Sequence, residues 1–141
     1  MQDNAELLQT IQRMQREIDM LKTRETPYPA WTAYTPTITA GTGTFTAVSA
    51  SGKYARVGNI MHVNVTITIT TNGTAAGYII VPLPAAATGP AVGAGCEVAV
   101  TGKMCRFYVI SGGSLARVYF YDGTYPGGDG RTLYMTVAYP V

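Results

Sequence analysis

The chain predicts a mainly β protein: a short N-terminal coiled-coil helix, for which a trimer is preferred although the Ile/Leu/Met pattern does not decide the order, then an antiparallel β-sandwich or jelly-roll head. Three observations carry this expectation. Apolar residues between positions 7 and 21 recur at spacings of 4, 3, 4 and 3. From Tyr34 onward the apolar period becomes two, and glycines and prolines cut the rest into short runs bounded by turn signals.

The first element is assigned to residues 1–26. Leu7, Ile11, Met14, Ile18 and Leu21 form a heptad seam, with Gln, Arg and Glu filling the remaining positions. A stripe this narrow suits a helix that packs against copies of itself better than one lying on a globular body. Such a helix is marginal alone and needs partners. Residues 1–26 are therefore expected to oligomerise the chain and dock it to a larger assembly. Thr26-Pro27 ends the helix, because proline disfavours the α region for the residue before it.

Residues 27–36 form a proline- and aromatic-rich neck. Tyr28, Trp31 and Tyr34 fall three apart, so in a left-handed extended helix they share one side. Packing of Trp31 with Tyr28 or Tyr34 where rod meets head is the expectation.

Residues 37–141 are assigned to the head. In Asn59–Thr71, Met61, Val63, Val65, Ile67 and Ile69 fall on one face; His62, Asn64, Thr66, Thr68 and Thr70 fall on the other. Asn72-Gly73 is a type I′ hairpin signal. A two-residue turn there pairs Ile69 with Ala76, Ile67 with Tyr78 and Val65 with Ile80, and turns Ile79, Val81 and Leu83 to the opposite face. Further strands are expected near 35–39, 43–49, 52–58, 96–101, 103–110, 115–122 and 131–139. Residues 82–95 read as a long loop. A turn at Thr101-Gly102 would set Cys105 opposite Val98, leaving Cys96 and Cys105 as buried free thiols.

Charge is unevenly distributed. Residues 1–26 hold five acids and four bases, whereas the remaining 115 residues hold three acids and six bases. With 20 threonines and so few charges, the chain is expected to hide surface against its own copies or a larger assembly. A net charge of +2 points away from nucleic acid, and no apolar run spans a bilayer. The polar N-terminus has no signal-peptide pattern.

Enzyme signals are sparse. His62 is the single histidine, mid-strand on a polar face, so neither a histidine metal site nor a catalytic base is expected; no cofactor is expected either. The richest cluster is YFYDGTYPGGDGR, residues 119–131. Tyr121, Asp122, Tyr125, Asp129 and Arg131 there are the candidate ligand-binding residues, since rings stack on sugar faces and charged groups hydrogen-bond hydroxyls. The competing reading is that they build the loop itself. Arg106 and Arg117 sit in strands beside aromatics, where stacking or interchain contacts can use them.

WTAYTPTIT, GTFTAVSASGKYARVGNIMHVNVTITIT and GYIIVPLP resemble the β-structured domain of minor tail, tail-fibre and receptor-binding proteins of tailed bacteriophages. EVAVTGKM and YDGTYPGGDGRTLYM extend the resemblance, which covers about residues 31–141 and is closest to minor tail proteins of phages infecting actinobacteria. The resemblance implies a non-enzymatic, homotrimeric virion component made in the bacterial host cytoplasm. Its N-terminal part would attach to other virion proteins, and its head would face the host surface and its glycans. A capsid head fibre or decoration protein is the alternative, and a stand-alone carbohydrate-binding module is the alternative of another class.

Overall fold

Asp3 starts the helix: its Oδ1 accepts from the Ala5 amide at 3.4 Å and its carbonyl from Leu7 at 3.1 Å. In the computed structural model, which describes residues 3–24 and 29–141, helix α1 then runs Asn4–Arg24. Nine strands follow: β1 Thr32–Tyr34, β2 Thr39–Thr42, β3 Ala47–Val57, β4 Ile60–Thr71, β5 Ala76–Pro82, β6 Ala91–Glu97, β7 Met104–Val109, β8 Leu115–Phe120 and β9 Arg131–Pro140.

The strands make one antiparallel sheet in the order β1-β3-β4-β9-β6-β7-β8-β5-β2. It curls on itself as a half-barrel, in place of the expected sandwich. The curl brings its two ends together, and the Tyr34 hydroxyl of β1 donates to the Pro82 carbonyl of β5 at 3.3 Å. Edge strand β1 covers Gly52–Tyr54 of the eleven-residue β3, and β2 at the other edge has four residues. The inward face is the core. Val63, Ile67, Ile69, Ile79, Val81, Phe107, Val109, Val118, Leu133 and Tyr139 are fully buried there. Tyr139 keeps its phenol satisfied by donating to the Ala85 carbonyl at 2.8 Å.

Strand β6 is the corner of the curl. Its inward positions include Gly93 and Gly95, where a Cβ would fall 2.1 Å from the Thr136 carbonyl oxygen and 2.3 Å from that of Tyr134. Without those atoms β6 rides close against β9, and the sheet can bend between its halves.

Several expectations change. The face assignment of β4 is as expected, but β4 pairs with β3 and β9, not with β5. Asn72-Gly73 forms a turn in which only Gly73 has positive φ, and the chain crosses from there to the far half of the sheet. Type I′ geometry needs positive φ at both central residues, so that hairpin does not form. Strand β5 pairs with β2 and β8, and its inward face is the reverse of the expected one. Ile79, Val81 and Leu83 are buried, and Tyr78 and Ile80 face out. A one-residue change of alternation flips a whole strand, and here the non-local partners set it.

Two expected strands at 43–49 and 52–58 merge into β3, and the expected strand at 35–39 is absent between β1 and β2. The loop assigned to 82–95 contains most of β6, whereas 98–101 is a turn. Cys105 accordingly lies opposite Gly95, not Val98. Both thiols are free; Cys105 is buried and Cys96 half-buried.

Candidate binding surface

The heptad seam stands open. Leu7, Ile11, Met14, Ile18 and Leu21 are 44–60% exposed, and α1 packs against none of the strands. Geometry thus leaves this apolar stripe unpartnered within one chain.

Of the neck residues, Tyr28 lies outside the described residues. Trp31 and Tyr34 are on opposite faces of the sheet, because residues 32–34 pair with β3 as a strand of period two. Tyr34 turns inward, meets Tyr54 edge-to-face at 5.6 Å, and burial pushes its phenol up to about 12. Trp31 stays outside, half exposed, with the Lys53 ammonium 5.2 Å from its ring centroid. The shared ring cluster expected of the neck is therefore not formed by Trp31 and Tyr34.

The 121–131 loop uses its own polar groups. Asp122 Oδ1 accepts from the Thr124 hydroxyl at 2.6 Å and the Thr124 amide at 3.1 Å, and these bonds lower its carboxyl's pKa. Asp129 Oδ1 accepts from the Asn72 amide at 2.7 Å, and the Tyr125 hydroxyl donates to Asn72 Oδ1 at 2.6 Å. Arg131 Nη1 donates to the carbonyls of Pro126 and Gly127 at 3.1 and 2.7 Å. Of the five candidates, Tyr121 is 66% exposed and makes no hydrogen bond through its side chain among the described residues, Asp122 and Asp129 are also exposed, and Tyr125 and Arg131 are half-buried. Asp122, Tyr125, Asp129 and Arg131 shape the loop and tie it to the Asn72-Gly73 turn. They are not gathered around an open site.

Sequence reasoning missed Glu97. Its side chain is fully buried where β6 ends, and five donors converge on it. They are the amides of Ala99, Val100, Thr101 and Thr132 and the Thr101 hydroxyl. Burial alone would raise its pKa; the hydrogen bonds, led by those from Thr101, outweigh it and hold the carboxyl at about 2. Glu97 thus closes the 98–101 turn and anchors it to β9. An acid four residues before Thr101-Gly102 was the available signal.

The outward face of the sheet carries a concave surface. A groove of about 800 Å³ lies across β3, β4, β9 and β6, with Ser51, Asn64, Thr66 and Thr136 in its lining and Lys53, Tyr134 and Met104 among its taller side chains. The cross-strand register continues this face. Lys53, Asn64, Thr136, Ala94 and Arg106 follow one another on adjacent strands, and Tyr119 lies beyond Arg106. Arg106 stacks on Tyr119 at 5.2 Å, Arg117 on Tyr78 at 4.7 Å, and the two tyrosine rings lie 5.5 Å apart. His62 is exposed one row away on β4.

Among the described residues no group of His, Cys, Asp or Glu side chains is arranged to hold a metal, and no helix is long and apolar enough to cross a membrane. Comparison with protein-family models, curated proteins and solved structures finds no match for this chain.

Proposed function

We propose that the chain is a non-enzymatic structural protein of a bacteriophage virion, a tail-tip or tail-fibre component that engages the host surface. Its helix assembles three copies and docks them to other virion proteins, and its head is displayed outward to host glycans. The observation that carries this reading is the open seam of α1, five apolar residues at heptad spacing with no packing partner among the described residues of their own chain. Burying such side chains is worth on the order of 1 kcal/mol or more each, enough to drive self-association. The phage assignment rests on the sequence resemblance of residues 31–141.

Sedimentation equilibrium of the full chain tests the assembly. The expected mass is three times 15.0 kDa, and Ile11→Lys with Ile18→Lys yields monomers whose β signal in circular dichroism is unchanged. A wild-type monomer at micromolar concentration overturns the reading. Immunogold labelling of particles then distinguishes tail from capsid.

A further inference from the structure

We propose that the outward face of the head binds an anionic polysaccharide along the cross-strand row from Lys53 to Arg106. The inference rests on the reading that the head engages glycans, and adds the site and the charge of the ligand.

Charge is the first support. Of the three acids of residues 27–141, Glu97 is buried among its donors on the inward side, and Asp122 and Asp129, though exposed, belong to the 121–131 loop and not to the row from Lys53 to Arg106. The ionic groups of the outward row and its neighbour are Lys53, Arg106 and Arg117, and each faces an aromatic ring. A guanidinium held over a ring keeps N–H groups free for a carboxylate or phosphate.

Shape is the second. Between Lys53 and Arg106 lies the groove, where Asn64, Thr66 and Thr136 present amide and hydroxyl groups suited to sugar hydroxyls. Ala94, with a side chain of one carbon, keeps the β6 side low. Lys53 and Arg106 are four strand spacings apart, roughly 19 Å. A single small anion cannot reach both, whereas a chain with repeating acidic groups can.

Titration calorimetry of the full chain tests this with three probes: polygalacturonate with repeating carboxylates, poly(glycerol phosphate) with repeating phosphates, and neutral dextran. Binding of either polyanion without dextran is expected, and which one binds identifies the acid. Affinity should fall steeply between 50 and 200 mM salt. Lys53→Gln and Arg106→Gln should each weaken it roughly tenfold. Arg106→Lys should retain part of the affinity, and Arg56→Gln, an exposed cation off the row, should leave it unchanged. Circular dichroism verifies that each variant is folded. Dextran binding equal to the polyanions, unaltered affinity in both Gln variants, duplex DNA binding more tightly than either glycan polymer, or no binding to either polyanion overturns the proposal. A trimer that fails these titrations refutes the site alone; a monomer by sedimentation refutes the assembly.

Discussion

Glu97→Gln should destabilise the head at neutral pH by about 3 kcal/mol. Glutamine keeps the shape of the side chain but replaces one carboxylate oxygen with an NH₂ group. That group would face amides that already donate, in a site with no access to water. The magnitude follows from the carboxyl's pKa, about 2 in the folded chain against 4.5 for an ordinary glutamate. That gap corresponds to about 3 kcal/mol favouring the folded state. Because the folded value is depressed, the contribution is complete above pH 4.5 and is lost as pH falls from 4.5 towards 2. Guanidinium denaturation followed by circular dichroism, at one fixed protein concentration, measures it. The wild type should exceed the variant by the full amount at pH 7, and the difference should close as pH approaches 2. A difference below about 1 kcal/mol at pH 7, the size of one ordinary hydrogen bond, would refute the reasoning. So would a difference that stays constant down to pH 2.

Gly95→Val should destabilise the sheet by about 3 kcal/mol or more, since the new Cβ would sit 2.3 Å from the Tyr134 carbonyl; a thermal melt within a few degrees of wild type would contradict the tight approach of β6 to β9. Tyr125→Phe removes the 2.6 Å bond to Asn72 and should cost about 1 kcal/mol; Asn72→Ala should cost more, since Asn72 Nδ2 also donates to the Ala75 carbonyl, and a double-mutant cycle with no coupling between the two would contradict the pair. Burial, then the neighbouring Cys96, push the Cys105 thiol up to about 11, so a thiol reagent at pH 8 should label Cys96 in the native chain and Cys105 only on unfolding. Comparable labelling rates at both would contradict the burial.

What the sequence revealed followed the range of the forces involved. The helix and β4 were legible because their patterns are local: Leu7 to Leu21 mark one stripe, and Met61 to Ile69 alternate without interruption. The position of β9 was legible for the same reason. The partner of β4 was not. Asn72-Gly73 is a strong local turn signal, but Gly73 serves a crossing to the other half of the sheet, and pairing with β9 depends on residues more than 60 positions away. The outward row from Lys53 to Arg106 was equally hidden, because it spans five strands whose order no local pattern encodes. Arg106 and Arg117 were read as strand cations beside sequence-adjacent aromatics, whereas the rings they meet, Tyr119 and Tyr78, lie on neighbouring strands. In the 121–131 loop the residue types suggested a ligand, while their hydrogen bonds go to Asn72 and to the loop's own backbone. Glu97 passed as one acid among three: its place four residues before Thr101-Gly102 marks a turn, but the fourth amide, that of Thr132, comes from a distant strand.

The central place of β9 has a consequence for how the head comes into being. It is the latest of the nine strands in chain order, yet it lies between β4 and β6 and joins the ladders of the two groups β1-β3-β4 and β6-β7-β8-β5-β2. During synthesis each group can pair its own strands, but both wait with an exposed inner edge until Arg131–Pro140 has left the ribosome. The head is thus expected to close late and slowly, as sheets with distant partners do. During that wait β4, with its five core residues on one face, is the segment most in need of protection from pairing with another copy.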